Sequence, residues 1–505
     1  MGEKAPDCIL IIPNSRGPAY GPLAPFAAVE PPVWAGLLAT FLLKKRYRVE
    51  ILDAHALDLP AGRIGELVAA AKPRLAVAVA YGHQPSASTQ TMPAARQALR
   101  AIREWAPWVP TAILGGHPSA LPERTLREEP VDFVVEGEGP YTLAALIEAV
   151  RVRASVEPVP GLWWKDAEGS RYRNAPAPLV KDLDGEMPEP AWDLLPMREY
   201  RAHNWHSFSN GSIRTPFAAT YSSLGCPYHC EFCCIQAPMK AGEAALGFAP
   251  DVNTYRMWPP AVIGEQLETL VTKYGVTNLK FVDEMHVLNR RHVEGLCDEI
   301  LCRGLGDHLN IWCYSRIDTI KWPGLLEKMR RAGYRWFVLG IEASDSTVRD
   351  GQDKSFSDDQ IVKTVATIQA AGIHVMGNYI VGLPGDTHES MRQTLDLALS
   401  LKTEWANFYG TMAYPGSQLY RDALAQGLRL PESWAGYAPL GYDCVPLPTA
   451  TLTSEEILRF RDMAFLRYFG DPEYLALVLE RFGQAAVADI LAMLAVPIKR
   501  KILGQ

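Results

Sequence analysis

Two long stretches of the chain alternate short apolar runs with amphipathic helical stretches, and this alternation limits the fold more than any other feature. Successive strands separated by a helix are joined by crossovers, which makes the sheet parallel and covers its faces with helices. The first stretch runs from Cys8 to about Arg151, with strands expected at CILIIP from Cys8, RVEILDA from Arg48, LAVAVA from Leu75, TAILGG from Thr111 and VDFVVEG from Val131. The second begins near Thr215 with FAATYSS, then NLKFVD at Asn278, NIWCYS at Asn310, WFVLGIE at Trp336, HVMGNYIVG at His374 and WANFYGTM at Trp405. Six strand-helix units make an incomplete version of the eight-unit barrel. In both architectures ligands gather at the carboxyl ends of the strands.

Between the two stretches the periodicity fades and prolines accumulate, densest at Glu186 to Pro190. That segment reads as a connector, with a small hairpin between Gly161 and Arg173. Beyond Tyr414 the pattern turns loop-rich and then helical, with Thr453 as an N-cap and Glu456 three residues on. The expected fold is therefore α/β: a doubly wound parallel sheet over 1–151, a linker over 152–210, a partial barrel over 211–420 and a helical region over 421–505.

At ~100–200 residues per domain, 505 residues agree with about three domains. The 48% of hydrophobic residues and the net charge of -7 describe an ordinary globular protein with no basic field for a polyanion, so no nucleic-acid partner is expected. The polar start, Met1 to Asp7, and an apolar stretch that stops at Pro13 do not make a signal segment, and the expected compartment is the cytoplasm. Phe482 to Ile498 is shorter than the ~20 apolar residues of a membrane span and contains Asp489, so it reads as a packed helix.

Nine cysteines are present, four of them between Cys226 and Cys234. Such crowding in a large intracellular chain points to metal or redox chemistry rather than to disulfides. The run Cys226-Pro-Tyr-His-Cys230-Glu-Phe-Cys233 follows the first strand of the second stretch directly. Thiolates are the usual ligands of iron-sulfur clusters, and a tight loop can bring three onto one. A four-iron cluster so held keeps one iron open to bind and polarise a small molecule. Zinc held by these three cysteines with Cys234 or His229 is the alternative. Cys234, next to the third ligand on an extended chain, would point to the opposite side.

This spacing, with aromatic Phe232 just before the last cysteine, resembles the radical S-adenosylmethionine (SAM) superfamily, and the doubly wound domain ahead of it resembles that superfamily's cobalamin-dependent branch. The resemblance implies a [4Fe-4S] cluster whose open iron chelates the methionyl amine and carboxylate of SAM, and a 5'-deoxyadenosyl radical once one electron cleaves the sulfonium. It runs from about Pro216 to Ser417. Phe281-Val-Asp283-Glu284 stands where the family contacts the methionine end of SAM, although either acid would equally cap the next helix. Arg316 has the fork for a SAM carboxylate, or for a structural ion pair. Glu342 and Ser344 resemble ribose and methionine contacts, and Asn378 with Gly382 resembles the adenine-contacting fifth strand.

In the first domain the similar phrases are LDAHALDLP, LGGHPSALPE and VDFVVEGEG. They imply cobalamin over the strand ends, with the loop from Asn14 among its neighbours, Gly115 and Gly116 admitting its nucleotide tail, and Ser86, Ser88 and Glu136-Gly137-Glu138 offering hydrogen bonds. Asp53-Ala-His55-Ala-Leu-Asp58 resembles the D-x-H-x-x-G motif whose histidine binds cobalt, but Asp58 replaces the glycine. His55 is then either a cobalt ligand or a hydrogen-bonded loop histidine, and His83 and His117 sit on neighbouring loops.

For function, the resemblance implies methylation of an unactivated carbon, or of phosphorus, in a small or lipid-like metabolite. Cobalt takes a methyl group from one SAM, the radical from a second SAM abstracts hydrogen, and the substrate radical collects the methyl group. Reduced flavodoxin or ferredoxin would supply electrons. The alternatives are a ring-forming or rearranging enzyme, similar to the anaerobic cyclase of bacteriochlorophyll synthesis, and a non-catalytic corrinoid or SAM sensor. Trp34, Trp163, Trp164, Trp405, Tyr409 and Tyr414 would line an apolar pocket or belong to ordinary core. The basic cluster Lys499-Arg500-Lys501 suits a membrane surface or a plain helix end.

Overall fold

A computed structural model describes residues 5–82 and 87–505 of the chain. Ser86 and His83 lie outside the described residues. In the first domain β1 (Cys8–Ile12), β2 (Val49–Asp53), β3 (Ala76–Val79), β4 (Thr111–Leu114) and β5 (Phe133–Val135) form a parallel sheet in the order β2-β1-β3-β4-β5. Placing β1 between β2 and β3 reverses the direction of winding there, and the crevice outside the strand ends at such a point is where doubly wound folds bind ligands. Cys8, Leu10, Ile11 and Val77 are fully buried, as expected of strands covered on both faces.

The connector holds the expected hairpin, β6 (Leu162–Lys165) and β7 (Arg171–Arg173), which extends the same sheet antiparallel beyond β5. Past the hairpin, Tyr200 donates a hydrogen bond of 2.8 Å to Asp53 at the end of β2, and Val29 and Arg201 exchange backbone hydrogen bonds. The connector is therefore stitched to the first domain rather than hanging free.

The second sheet is built from β8 (Phe217–Thr220), then, after the two-residue strands β9 (Ser223–Leu224) and β10 (Arg256–Met257), β11 (Asn278–Phe281), β12 (Asn310–Arg316), β13 (Tyr334–Glu342), β14 (His374–Val381) and β15 (Trp405–Gly410). Its six strands are all parallel and lie in chain order, β8-β11-β12-β13-β14-β15, as a partial barrel requires. The helices Ser454–Phe469, Pro472–Phe482 and Gln484–Leu494 follow. Thr453 caps the first of them in a reciprocal capping box with Glu456. That helix packs so closely on the end of β14 that a Cβ on Gly382 would lie 2.6 Å from Ile457. The apolar run from Phe482 is divided by Gly483, at φ +82°, and among the described residues no helix is long and apolar enough to cross a membrane.

Burial holds His206, beneath the barrel, and His117, in the first domain, at about 3. Both stay neutral in the fold, whereas the unfolded chain protonates its histidines near about 6.5. Stability should therefore fall as pH drops below about 6.5, by roughly 1.4 kcal/mol per pH unit for each histidine, until the fall levels off near 3. His206→Gln should lower the proton uptake on unfolding at pH ~5 by about one. Unchanged uptake would mean that His206 is already charged in the fold.

Candidate functional site

The cysteine loop leaves β9 through Gly225, whose φ of +89° and whose approach to Thr254 O, 2.2 Å from where a Cβ would stand, admit only glycine. Behind this turn, Asp283 anchors the strand ends. It accepts hydrogen bonds from Ser222 N at 2.6 Å and Ser223 Oγ at 2.8 Å, and lies 3.0 Å from His286 Nδ1. Cys226, Cys230 and Cys233 are half-buried on the loop itself. Cys233 N donates to Cys230 O at 3.0 Å, and Asn253 donates to Tyr228 O at 2.8 Å, so the loop is tied both to itself and to the chain beyond it.

Burial pushes the Cys226 thiol to about 12 and raises that of Cys230, against the pull of Lys354 and Arg316. Three desolvated sulfurs on one short loop fit a cationic group that takes them as thiolates. Among the described residues no three His, Cys, Asp or Glu side chains converge on a single metal ion, and His229 Nε2 lies 2.7 Å from Asp251 O. Cys234 is buried beside the loop.

Arg316 ends β12 with its guanidinium 3.6 Å over the Tyr228 ring, 3.8 Å from Cys230 Sγ and paired with Asp318 at 2.9 Å. Glu342 ends β13 with φ +67°, unusual for a residue with a side chain, just after a register shift against β14. Such strain and such bulges gather at functional sites because they redirect a side chain. Its carboxylate is ion-paired with buried Lys354, which also donates to Gly340 O at 2.8 Å. Asn378 accepts from Asn407, its register partner on β15, at 3.1 Å, and among the described residues its own amide nitrogen donates to nothing. Ser344 donates to Asp358 at 3.2 Å, and Gly382 faces Ile457.

Phe232, Cys233, Glu342 and Asn378 share one cavity of about 400 Å3 inside the barrel. Trp405, Tyr409 and Tyr414 line it as well, whereas Trp163 and Trp164 lie on β6, where Trp163 donates to Glu136 and Trp164 stacks on Tyr172. Its far wall comes from residues that sequence reasoning missed: Trp205 from the connector, and Phe465, Phe469 and Met493 from the last helices. Buried Lys280 on β11 and Glu30 from the first domain, 2.9 Å apart, form part of the wall. A lysine inside an apolar strand, in NLKFVD, demanded a buried partner and was the available signal.

Two smaller cavities lie between the sheets. One, of about 60 Å3, is lined by Ser15, Trp34, His55 and Tyr81, and shares Ala19, Tyr20, Glu30, Ala87 and Gln90 with the large cavity. His55 is buried there with Nδ1 3.5 Å from Ser15 Oγ. Asp58, standing where the cobalt-binding motif has glycine, takes the left-handed conformation anyway, at φ +51°, and accepts from Asn14 at 2.8 Å. The other cavity, of about 40 Å3, is bordered by Gly116, Glu138 and Glu284. Among the described residues Glu284 Oε2 is sealed from solvent without a hydrogen-bond partner, and burial raises its carboxyl to about 8. An orphaned acid between two sets of strand ends fits a polar ligand group.

The remaining first-domain residues have protein partners. Gly115 lets β4 approach β3, since its Cβ would stand 2.2 Å from Ala80 O. Ser88 bridges Ala80 O and His117 N. Glu136 holds Trp163 at 2.7 Å and Arg173 at 3.0 Å, and Gly137 N donates to Ser119 Oγ. Glu138, 5% exposed, pairs with Arg256 on β10 and accepts from Val180 N, tying the first domain to the strand beside the cysteine loop.

The chain matches the family model of the Radical SAM superfamily over residues 220–398 and that of the B12 binding domain over residues 22–147. It is 28% identical to an uncharacterised methyltransferase of Pyrococcus horikoshii, over 94% of this chain and 93% of that one. It is 26% identical to the anaerobic magnesium-protoporphyrin IX monomethyl ester cyclase of Rubrivivax gelatinosus, over 79% of this chain and 67% of the cyclase. Among solved structures, the radical S-adenosylmethionine methyltransferase TsrM of Kitasatospora setae, with cobalamin and a [4Fe-4S] cluster bound, superposes with a TM-score of 0.68 at 16% identity, over 96% of this chain and 99% of that one. With the B12 binding match on the doubly wound sheet and the radical SAM match on the partial barrel, the chain belongs to the cobalamin-dependent radical SAM enzymes, whose cofactors are a [4Fe-4S] cluster, SAM and cobalamin.

Proposed function

We propose that the protein is a methyltransferase acting on an unactivated carbon, or phosphorus, centre of a small or lipid-like metabolite. The observation that carries this reading is the continuity of the large cavity, which touches Phe232, Cys233 and Glu342 at the cluster loop and shares Tyr20, Glu30 and Gln90 with the cleft over the first sheet. When bound, the cluster and SAM supply a hydrogen-abstracting radical and cobalamin carries the methyl group.

The chain's own residues then have separable tasks. Cys226, Cys230 and Cys233 hold the cluster, and Arg316, fixed over Tyr228, keeps a positive charge against it. Glu342, Ser344 and Asn378 receive SAM, with Glu342 held in place by Lys354. Gly116, Glu138 and Glu284 would border cobalamin, and His55 lines the neighbouring cavity. The aromatic wall excludes water, which would otherwise quench a radical or disperse the reactants. Reduced flavodoxin or ferredoxin in the cytoplasm serves as electron donor. The name of the Pyrococcus horikoshii relative supports methyl transfer, since that match spans nearly both chains.

The test is the fate of SAM. Heterolytic loss of the methyl group and homolytic cleavage cannot come from the same sulfonium, so methyl transfer should release S-adenosylhomocysteine and 5'-deoxyadenosine in equal amounts, each matching the methylated product. Formation of 5'-deoxyadenosine without S-adenosylhomocysteine, with the true substrate present, would instead favour an oxidative cyclase.

A further inference from the structure

The pairing of polar groups around the large cavity restricts what can fill it. Lys280 and Glu30 neutralise each other at 2.9 Å. Asn407 spends its amide on Asn378 and on Met376 Sδ, both at 3.1 Å, and Arg461 is committed to Asp462 and to Phe408 O. Gln90 donates to Tyr414 at 3.2 Å. Away from Glu342 and Asn378, which receive SAM, an occupant rich in hydroxyls or charges would find few partners in this wall, and its unpaired polar groups would weaken its binding.

The rest of the wall is aromatic and thioether. Trp205 packs edge-on against Trp312 at 5.3 Å, and Trp405 and Phe469 lie 4.6 Å apart. Met376, Met412 and Met493 line the cavity as well. Fixed rings favour flat or fused rings as partners, and methionine adapts to their edges. A flexible open chain would also lose more rotational freedom than a ring system on entering an enclosed space.

We propose that the substrate is a largely apolar, fused-ring molecule with few polar groups, bound inside the barrel against Trp205, Trp312 and Trp405. This rests on the methyltransferase reading for what happens to the molecule, but not for how it is bound.

The test measures binding without turnover on the cofactor-loaded protein, by equilibrium dialysis against three probes: a tetracyclic sterol, a saturated C18 fatty acid and a uridine diphosphate sugar. The sterol should bind at least roughly tenfold more tightly than either competitor. Ala27→Trp, which fills the cavity from the first domain, and Ala19→Phe, where it meets the smaller cleft, should each weaken sterol binding by about tenfold or more. Unchanged iron and corrinoid content and an unchanged melting curve would show that the variants fold. Equal or tighter binding of the fatty acid or the nucleotide sugar, or sterol binding indifferent to both variants in folded protein, would overturn the proposal. Failure of S-adenosylhomocysteine to form would count against methyl transfer and leave these results standing.

Discussion

Replacing Cys233 with alanine should reduce 5'-deoxyadenosine formation to the level of a protein-free control and remove the broad absorbance of a reconstituted cluster, with the loss of about four irons per chain. Under the proposed assignment Cys226, Cys230 and Cys233, which share one loop, are the three protein ligands, and losing one leaves the cluster a thiolate short. Cys234 is the internal control. It is buried next to Cys233, and as the following residue on the chain it should project away from the cluster. Cys234→Ala should therefore keep its iron and its 5'-deoxyadenosine. Equal loss of iron from both variants would mean that the ligand set has been assigned wrongly.

The second large effect is expected at Lys280. Its side chain is 1% exposed and that of Glu30 is 3% exposed, so Lys280→Met strands a carboxylate in the interior between the domains. Breaking a buried pair from one side costs about 3–5 kcal/mol, whereas removing both charges is often nearly neutral. The urea unfolding transition of Lys280→Met should shift down accordingly, and adding Glu30→Gln should recover most of the shift. By contrast, Lys273→Ala, which breaks the surface pair with Asp193, should change stability by less than about 1 kcal/mol. Equal shifts for Lys280→Met and Lys273→Ala would show that the interdomain pair is not desolvated.

Local patterns made the strands legible. The expected strands of both parallel sheets are present because strand-helix alternation and apolar runs are short-range signals, and the Thr453 cap was readable for the same reason. Spacing likewise exposed the cysteine loop. Which side chains meet across the chain was not legible. Asp283 stands where a ligand contact was expected and is held by Ser222, Ser223 and His286 of the protein, and Ser88 bridges two backbone groups. Motif position says that an acid or a hydroxyl sits at a strand end. It does not say whether the partner will be a ligand or the neighbouring strand. Trp205, Phe465 and Met493 were invisible for a related reason. Each is an ordinary apolar residue in its own segment, and only tertiary packing brings the three to one cavity.

The cavity wall also divides the chain's labour in a way that bears on how such enzymes diversify. The cysteine loop, Glu342 and Asn378 lie within 220–398, but Trp205, Phe465, Phe469 and Met493 come from stretches outside both matched domains. Drift in the connector or the last helices can reshape the chamber while the radical-generating loop is untouched. One gene would thus be retargeted to a new molecule by changes outside both matched domains, and grafting residues 421–505 between relatives becomes a direct route to exchanging their selectivity.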